Sequence, residues 1–147
     1  MACYVDTSAL VKRYDPNEKG AAKVIALLSS PATVLTSTLT PIEVVSAFRI
    51  KERNGVFTAG EVQLALMAFE GHVSLEYKLV APQPGTYLEA KRLLLSYALR
   101  AYDAMHLATA LTIVQAAGIQ PGQLEFWTAD QAQAAAAAAE GFGVVLV

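Results

Sequence analysis

Four acidic residues occupy similar positions relative to the predicted strands and helices, although they are far apart in the sequence. Asp6 directly follows a short apolar run near the N-terminus, and Asp130 follows another near the C-terminus. Glu43 and Asp103 each fall in the first turn of a predicted helix. A carboxylate at a helix N-terminus commonly caps the helix or interacts with its dipole. No single acid therefore indicates chemistry by itself.

Taken together, the four acids indicate a metal site. In a parallel sheet covered by helices, the carboxyl ends of the strands and the N-termini of the helices meet at one edge, where ligands bind. Gathering several carboxylates at that edge is unfavourable because like charges repel. A hard divalent cation such as Mg²⁺ or Mn²⁺ removes that cost. Such a cation activates water and stabilises phosphoryl and leaving oxygens, as phosphodiester hydrolysis requires.

Hydroxyl groups beside the acids are candidates to hold water or a phosphate oxygen. Thr7 and Ser8 follow the first acid, and Thr128 precedes the last by two residues. Ordinary N-capping explains such hydroxyls equally well. Their role therefore stays open at the level of the sequence.

Short apolar strands alternate with helical patterns along the whole chain, which predicts an α/β fold with a parallel sheet covered on both faces. The predicted strands are 2–5, 33–36, 77–80, 124–128 and 144–147. The predicted helices are 8–14, 18–28, 40–53, 58–71, 86–99, 102–117 and 134–139. Capping boxes are predicted at Thr40 to Glu43 and at Thr58 to Glu61. No linker or repeat interrupts the pattern, so residues 1–147 are predicted to form one domain.

Composition excludes several classes of protein. The chain is 54% hydrophobic, but no apolar run approaches the ~20 residues of a membrane helix. A well-buried sheet, together with an apolar subunit interface, would account for this hydrophobicity. One cysteine excludes an internal disulfide and a cysteine-based zinc cluster. No signal peptide is recognised and a cytoplasmic location is expected.

Four segments in order resemble the PIN domain, and most closely its small VapC-type toxins. They are YVDTSALVKRY, TPIEVVSAFRI, RAYDAMHLATAL and FWTADQ, followed by EGF before the last strand. The resemblance implies a three-layer α/β/α sandwich with strand order 3-2-1-4-5. It further implies an Mg²⁺- or Mn²⁺-dependent endoribonuclease that forms homodimers and is blocked by a small antitoxin protein.

The acidic positions of that family fall on Asp6, Glu43, Asp103 and Asp130, and all four are predicted to be catalytic. We expect Asp6, Asp103 and Asp130 to bind the metal, with Glu43 as an outer or bridging ligand. Glu43 also has a structural explanation in its predicted capping box. Where relatives often carry a basic residue in the last helix, this chain has glutamines within an alanine run.

Three further residues are predicted to contact the RNA substrate, namely Ser8, Thr128 and Arg100. The family's supporting hydroxyl fits Thr128 and Ser8. Arg100 precedes the helix of Asp103 and is either a phosphate contact or a solvated side chain. His106 is expected to be a packed, hydrogen-bonded histidine rather than a general base.

A basic rim that steers RNA is a further hypothesis, and its alternative is a solvated helix face. The cations in question are Lys12, Arg13, Arg49, Lys51 and Arg53.

Rival functions have less support. A haloacid-dehalogenase-like phosphatase needs a second aspartate two residues after the first, where this chain has Ser8. No phosphate-binding loop, dinucleotide fingerprint or serine-hydrolase elbow is present. A PIN-like nuclease acting on DNA or in RNA processing remains an alternative, as does a silent PIN-like binding module. Retention of all four acids favours an enzyme.

Overall fold

A computed structural model describes all residues 1–147. The strands are β1 (Ala2–Val5), β2 (Thr33–Ser37), β3 (Tyr77–Val80), β4 (Glu125–Thr128) and β5 (Gly143–Leu146). The helices are α1 (Thr7–Leu10), α2 (Ala21–Leu28), α3 (Thr40–Arg53), α4 (Ala59–Leu75), α5 (Pro84–Ser96), α6 (Ala101–Ala117) and α7 (Gln131–Ala139). Short 3-10 turns lie at Val11–Tyr14 and Pro121–Gln123.

The five strands form one parallel sheet in the order β3-β2-β1-β4-β5. The predicted fold class and strand order are therefore confirmed. In the centre, β1 pairs with β2 on one side and with β4 on the other. Because all strands run in one direction, the turns after β1, β2 and β4 lie at the same edge of the sheet.

Alternate side chains of the sheet enter two separate cores, as expected for strands covered on both faces. Val5 joins a core with Phe48 of α3 and Phe69 of α4. Tyr4 points to the opposite face, where it joins Leu107 of α6 and residues of α5 and α7. No helix is long and apolar enough to cross a membrane.

The predicted capping box at the start of α3 is wrong. Leu39 is the N-cap residue and makes no side-chain cap. The Thr40 hydroxyl is completely buried and contacts the hydroxyls of Thr36 at 2.8 Å and Thr7 at 3.2 Å. These partners replace the cap, so the side chain of Glu43 is not held against the helix backbone. The second predicted capping box, at the start of α4, is confirmed.

Some helix ends also differ from the prediction. The predicted first helix divides into α1 and a 3-10 turn. Helix α4 continues to Leu75 instead of stopping near Gly71, since glycine costs only about 1 kcal/mol inside a helix. Helix α5 stops at Ser96 because the next residue, Tyr97, is extended.

Candidate active site

Asp6 lies in the turn between β1 and α1, where it is buried and caps the helix. Its Oδ1 accepts hydrogen bonds from the Ala9 backbone N–H at 2.9 Å and the Ser8 hydroxyl at 2.7 Å. Its Oδ2 accepts one from the Thr128 hydroxyl at 2.6 Å. Burial raises the pKa of the Asp6 carboxyl, although these hydrogen bonds oppose the shift. The ionised carboxylate therefore destabilises the metal-free protein, and a cation would offset this effect.

Two hydroxyls fasten the turn of Asp6 to the turn of Asp130. Ser8 accepts a hydrogen bond from the Ala129 N–H at 2.9 Å, and its Oγ lies 3.3 Å from the Thr128 hydroxyl. Thr128 accepts one from the Asp130 N–H at 3.1 Å. Because Thr128 is completely buried, its position fits support of Asp6 better than direct contact with a substrate.

Glu43, in the first turn of α3, is held by only one of its two carboxylate oxygens. Oε1 accepts hydrogen bonds from the Thr7 hydroxyl at 3.0 Å and from Nε2 of His106 at 2.6 Å. Oε2 makes no hydrogen bond with the protein. His106 is 2% exposed, and its other nitrogen lies 2.8 Å from the hydroxyl of Tyr4. His106 is thus packed and hydrogen-bonded, as the sequence indicated.

Asp103 and Asp130 are connected by a cation. The Arg100 Nε donates to Asp103 Oδ2 at 3.0 Å, and its guanidinium lies 3.5 Å from Asp130 Oδ2. Asp130 also caps α7 by accepting the Gln133 N–H at 2.8 Å. Arg100 remains 78% exposed, so it is open to an incoming ligand.

The buried Gln133 forms hydrogen bonds with both Asp103 and Asp130. Gln133 donates its side-chain amide to the Asp103 backbone carbonyl at 3.1 Å, while its own N–H is capped by Asp130. The side-chain oxygen of Gln133 has no hydrogen-bond partner. Gln133 therefore links the first turns of α6 and α7.

A pocket of about 430 Å³ opens at this edge of the sheet. Asp6, Glu43 and Asp103 line it, together with Arg100 and apolar side chains of α3. Asp130 is not on its wall and is connected to it through Arg100. The four acids predicted from the sequence thus occupy one region, three of them directly around the pocket.

The acids at the pocket lie apart but have the chemistry that a divalent cation requires. No three acidic, histidine or cysteine side chains converge closely enough to enclose a metal ion. The donors themselves fit a hard cation, because they are carboxylate oxygens and Oε2 of Glu43 is free. The guanidinium of Arg100, between Asp103 and Asp130, shows that positive charge is favoured there. These residues would hold Mg²⁺ or Mn²⁺ if Asp103 exchanged Arg100 for the metal.

The hypothesised basic rim is largely neutralised within the protein. Lys12 is buried and bonds Glu18, while Lys51 bridges Asp15 and Glu18 at 2.9 and 3.0 Å. Arg13 pairs with an acid at the end of α4. These three cations therefore stabilise the region after α1. Because their charges are paired, they contribute less to the electrostatic steering of RNA.

A family model for the PIN domain matches residues 3–138.

The chain belongs to the PIN domain family.

Members of this family are generally nucleases and typically use divalent metals. No curated protein matches this PIN domain by sequence.

Three solved structures share its fold. VapC20 from Mycobacterium tuberculosis, described as a sarcin-ricin loop cleaving toxin, is 20% identical, with a TM-score of 0.63 over 100% of this chain and 98% of that chain. A toxin-antitoxin complex from Klebsiella pneumoniae is 21% identical, with a TM-score of 0.58 over 97% and 95%. FitAcB from Neisseria gonorrhoeae is 16% identical, with a TM-score of 0.66 over 98% and 96%.

The sequence did not reveal several contacts of this PIN domain's site. Tyr4 sits in a strand and reads as ordinary core, yet its hydroxyl meets His106. Gln133 lies in an alanine run that reads as a packing helix, yet it contacts the helix of Asp103. A polar side chain on the buried face of an otherwise small-residue helix is the one signal that would have marked Gln133.

Proposed function

We propose that this PIN domain is a metal-dependent endoribonuclease that hydrolyses RNA phosphodiester bonds. The observation that carries the proposal is the grouping of Asp6, Glu43 and Asp103 around one pocket, with Asp130 joined to it through Arg100. These acids come from four separate segments, and capping does not explain Glu43. Isolated structural acids have no reason to share a pocket.

The proposed roles follow from the contacts of each side chain. Asp6, Asp103 and Asp130 would hold Mg²⁺ or Mn²⁺, with Glu43 as an outer or bridging ligand. When bound, the cation lowers the pKa of water, polarises a phosphoryl oxygen and stabilises the leaving oxygen. Oε2 of Glu43 is free to accept a hydrogen bond from the attacking water. Arg100 and Ser8 would contact the phosphate, since Arg100 is exposed at the pocket and guanidinium groups suit phosphate oxygens.

The reaction is a hydrolysis in which water adds to phosphorus in line with the bond to the 3′ oxygen. That bond breaks, and the 3′ oxygen takes up a proton. The products would carry a 5′-phosphate and a 3′-hydroxyl. The likeness to the PIN family supports this course.

A toxin role is the finer part of the proposal. We propose that the chain is the toxin of a toxin-antitoxin pair, acting as a homodimer in the cytoplasm and blocked by a small antitoxin. Support comes from its similarity to a toxin-antitoxin complex and to FitAcB. Exposed apolar side chains on α5, including Leu88 and Leu95, supply surface for association. A short reading frame for a DNA-binding protein immediately upstream would support this role, and its absence would count against it.

The enzymatic proposal is tested by purifying wild type, Asp6→Asn and Glu70→Gln and incubating each with structured RNAs and single-stranded DNA in Mg²⁺, Mn²⁺ or EDTA. Glu70 is an exposed acid of α4 whose carboxylate forms no hydrogen bond or ion pair, so its variant is the matched control. We expect wild type and Glu70→Gln to cleave RNA only with metal, and Asp6→Asn to lose cleavage. Sequencing of the product ends should show 5′-phosphates.

Full RNA cleavage by Asp6→Asn, or cleavage by wild type in EDTA, would refute the mechanism. Cleavage of DNA alone would replace the RNA assignment with a DNA-directed one. Absence of any cleavage would favour a silent binding module.

A further inference from the structure

A chain of three hydrogen-bonded side chains, two of them buried, leads from the core of the sheet to the pocket. Tyr4 lies in the middle of β1, His106 in the second turn of α6 and Glu43 in the first turn of α3. The Tyr4 hydroxyl is 2.8 Å from Nδ1 of His106, and Nε2 of His106 is 2.6 Å from Oε1 of Glu43. Three elements that are distant in the sequence are thus joined by two short hydrogen bonds.

Burial makes this chain rigid. Tyr4 is inaccessible to solvent and His106 is only 2% exposed. The Tyr4 ring stacks on Phe126 of β4 and meets the imidazole edge-on. Neither ring has room to swing away from its partner, because protein interiors are close-packed. The imidazole therefore has one orientation.

The hydrogen bonds also determine which histidine nitrogen carries the proton. A carboxylate only accepts hydrogen bonds, so Nε2 of His106 donates to Glu43. In the neutral imidazole, Nδ1 is then an acceptor, and the Tyr4 hydroxyl donates to it. Tyr4 thereby selects the tautomer that holds Glu43.

The result at the pocket is a carboxylate with one fixed oxygen and one free oxygen. Oε1 of Glu43 receives His106 and the Thr7 hydroxyl, at 2.6 and 3.0 Å. Oε2 has no partner in the protein. A carboxylate held in this way presents its free oxygen in a defined direction, without the entropy cost of restraining a long side chain when the substrate binds.

We propose that Tyr4 and His106 are positioning residues that aim Oε2 of Glu43 at the reacting water or metal. The role rests on the proposed nuclease function and identifies two residues that support it through Glu43. Neither residue contacts the substrate.

A merely structural pair would stabilise the fold without affecting the chemical step. The distinguishing measurement is the kinetics of Tyr4→Phe, His106→Leu and His106→Gln on an RNA that wild type cleaves in Mg²⁺. We expect Tyr4→Phe and His106→Leu to lower kcat about 10- to 100-fold, the usual effect of losing a group that orients a ligand, with KM little changed. His106→Gln should recover part of the rate because its amide N–H can still reach Glu43.

A matched control exists at another site in the same protein. Tyr14 places its hydroxyl 2.8 Å from Nδ1 of His72, the same Tyr–His contact, but neither residue lines the pocket. Tyr14→Phe should leave kcat unchanged. It thus separates loss of a histidine-bonded tyrosine hydroxyl in general from loss of the one that leads to Glu43.

The tautomer is a second measurement that does not require catalysis. The chain has two histidines, so nitrogen NMR of wild type and His72→Gln assigns the ring of His106 directly. We expect the Nε2–H tautomer in wild type and a larger share of the Nδ1–H tautomer in Tyr4→Phe.

Two results would overturn the positioning role alone. These are a wild-type kcat in both folded Tyr4→Phe and His106→Leu, or a wild-type His106 in the Nδ1–H tautomer. If wild type cleaves no RNA under any metal condition, the nuclease proposal fails first, and the positioning role falls with it.

Discussion

At the scale of single residues, the site is defined by how each carboxylate is held. Both oxygens of Asp6 are engaged by hydrogen bonds from neighbouring groups, whereas Glu43 keeps one oxygen free. Asp103 is paired with Arg100, which can move because most of its side chain is in solvent. The four acids are therefore unequal. Asp6 is fixed by the fold, Glu43 is held through Oε1 alone, and Asp103 and Asp130 share the guanidinium of Arg100.

The burial of Asp6 should make the stability of the protein in EDTA depend on pH. Because the folded state raises the pKa of this carboxyl, folding becomes less favourable as pH rises from about 4 through the folded-state pKa. Asp6→Asn removes the ionisable group and keeps an oxygen for the Ala9 N–H. In EDTA at pH 7 we expect Asp6→Asn to melt at a higher temperature than wild type. The difference should shrink toward pH 4, where wild type is protonated.

Saturating Mg²⁺ provides the control for this measurement. The cation should stabilise wild type more than Asp6→Asn, since it binds the folded carboxylate. A lower melting temperature for Asp6→Asn at pH 7 in EDTA would show that the ionised Asp6 stabilises the fold, contrary to this account.

At the scale of elements, helix N-termini carry the site. Helices α1, α3, α6 and α7 all begin at the same edge, and each contributes one acid from its cap or first turn. The sequence predicted these helices because their apolar runs and breakers are local signals. It misassigned Glu43 to a capping box, since the pattern Thr-Pro-Ile-Glu cannot reveal that Thr40 meets other buried hydroxyls from distant segments.

Gln133 tests how precisely α6 and α7 must be placed. Gln133→Met keeps the length of the side chain. It removes one hydrogen bond that stabilises the fold by about 0.5–1.5 kcal/mol. It also removes one buried unpaired oxygen that destabilises the fold by about 1–3 kcal/mol. We expect the free energy of unfolding to stay within about 1 kcal/mol of wild type or to rise. The rate of cleavage should nevertheless fall about 10-fold, because the hydrogen bond that links Gln133, and so the helix capped by Asp130, to Asp103 is lost.

Gln131→Met, at an exposed position of the same helix, is the control for this experiment. Denaturant unfolding gives the stability, and initial cleavage rates give the activity. A Gln133→Met protein that is strongly destabilised, or that cleaves at the wild-type rate, would refute the positional role of this amide.

At the scale of the whole molecule, the parallel sheet brings together segments that are far apart in the chain. The fold class was predictable because strands alternate with helices, and the strand order followed from the resemblance to PIN domains. The shared location of the four acids at one edge was predictable from the geometry of such a sheet. The contacts of Tyr4, His106 and Gln133 were not, because each depends on packing between elements that no local pattern specifies.

The ion pairs of Arg100 account for the positions of Asp103 and Asp130 in this structure. Arg100 supplies positive charge beside Asp103 and Asp130, and we propose that a divalent cation replaces it when the acids converge. We propose that these acids then form one catalytic centre for phosphodiester hydrolysis.

The most direct test is the initial rate of Mg²⁺-dependent RNA cleavage by Asp103→Asn relative to wild type. Asp103 faces the pocket from a helix already held by buried contacts, so the variant should fold normally. We expect a loss of at least about 100-fold, comparable to the removal of one hydrogen-bond donor that stabilises the charge of a transition state. A folded Asp103→Asn protein that cleaves at the wild-type rate would contradict it.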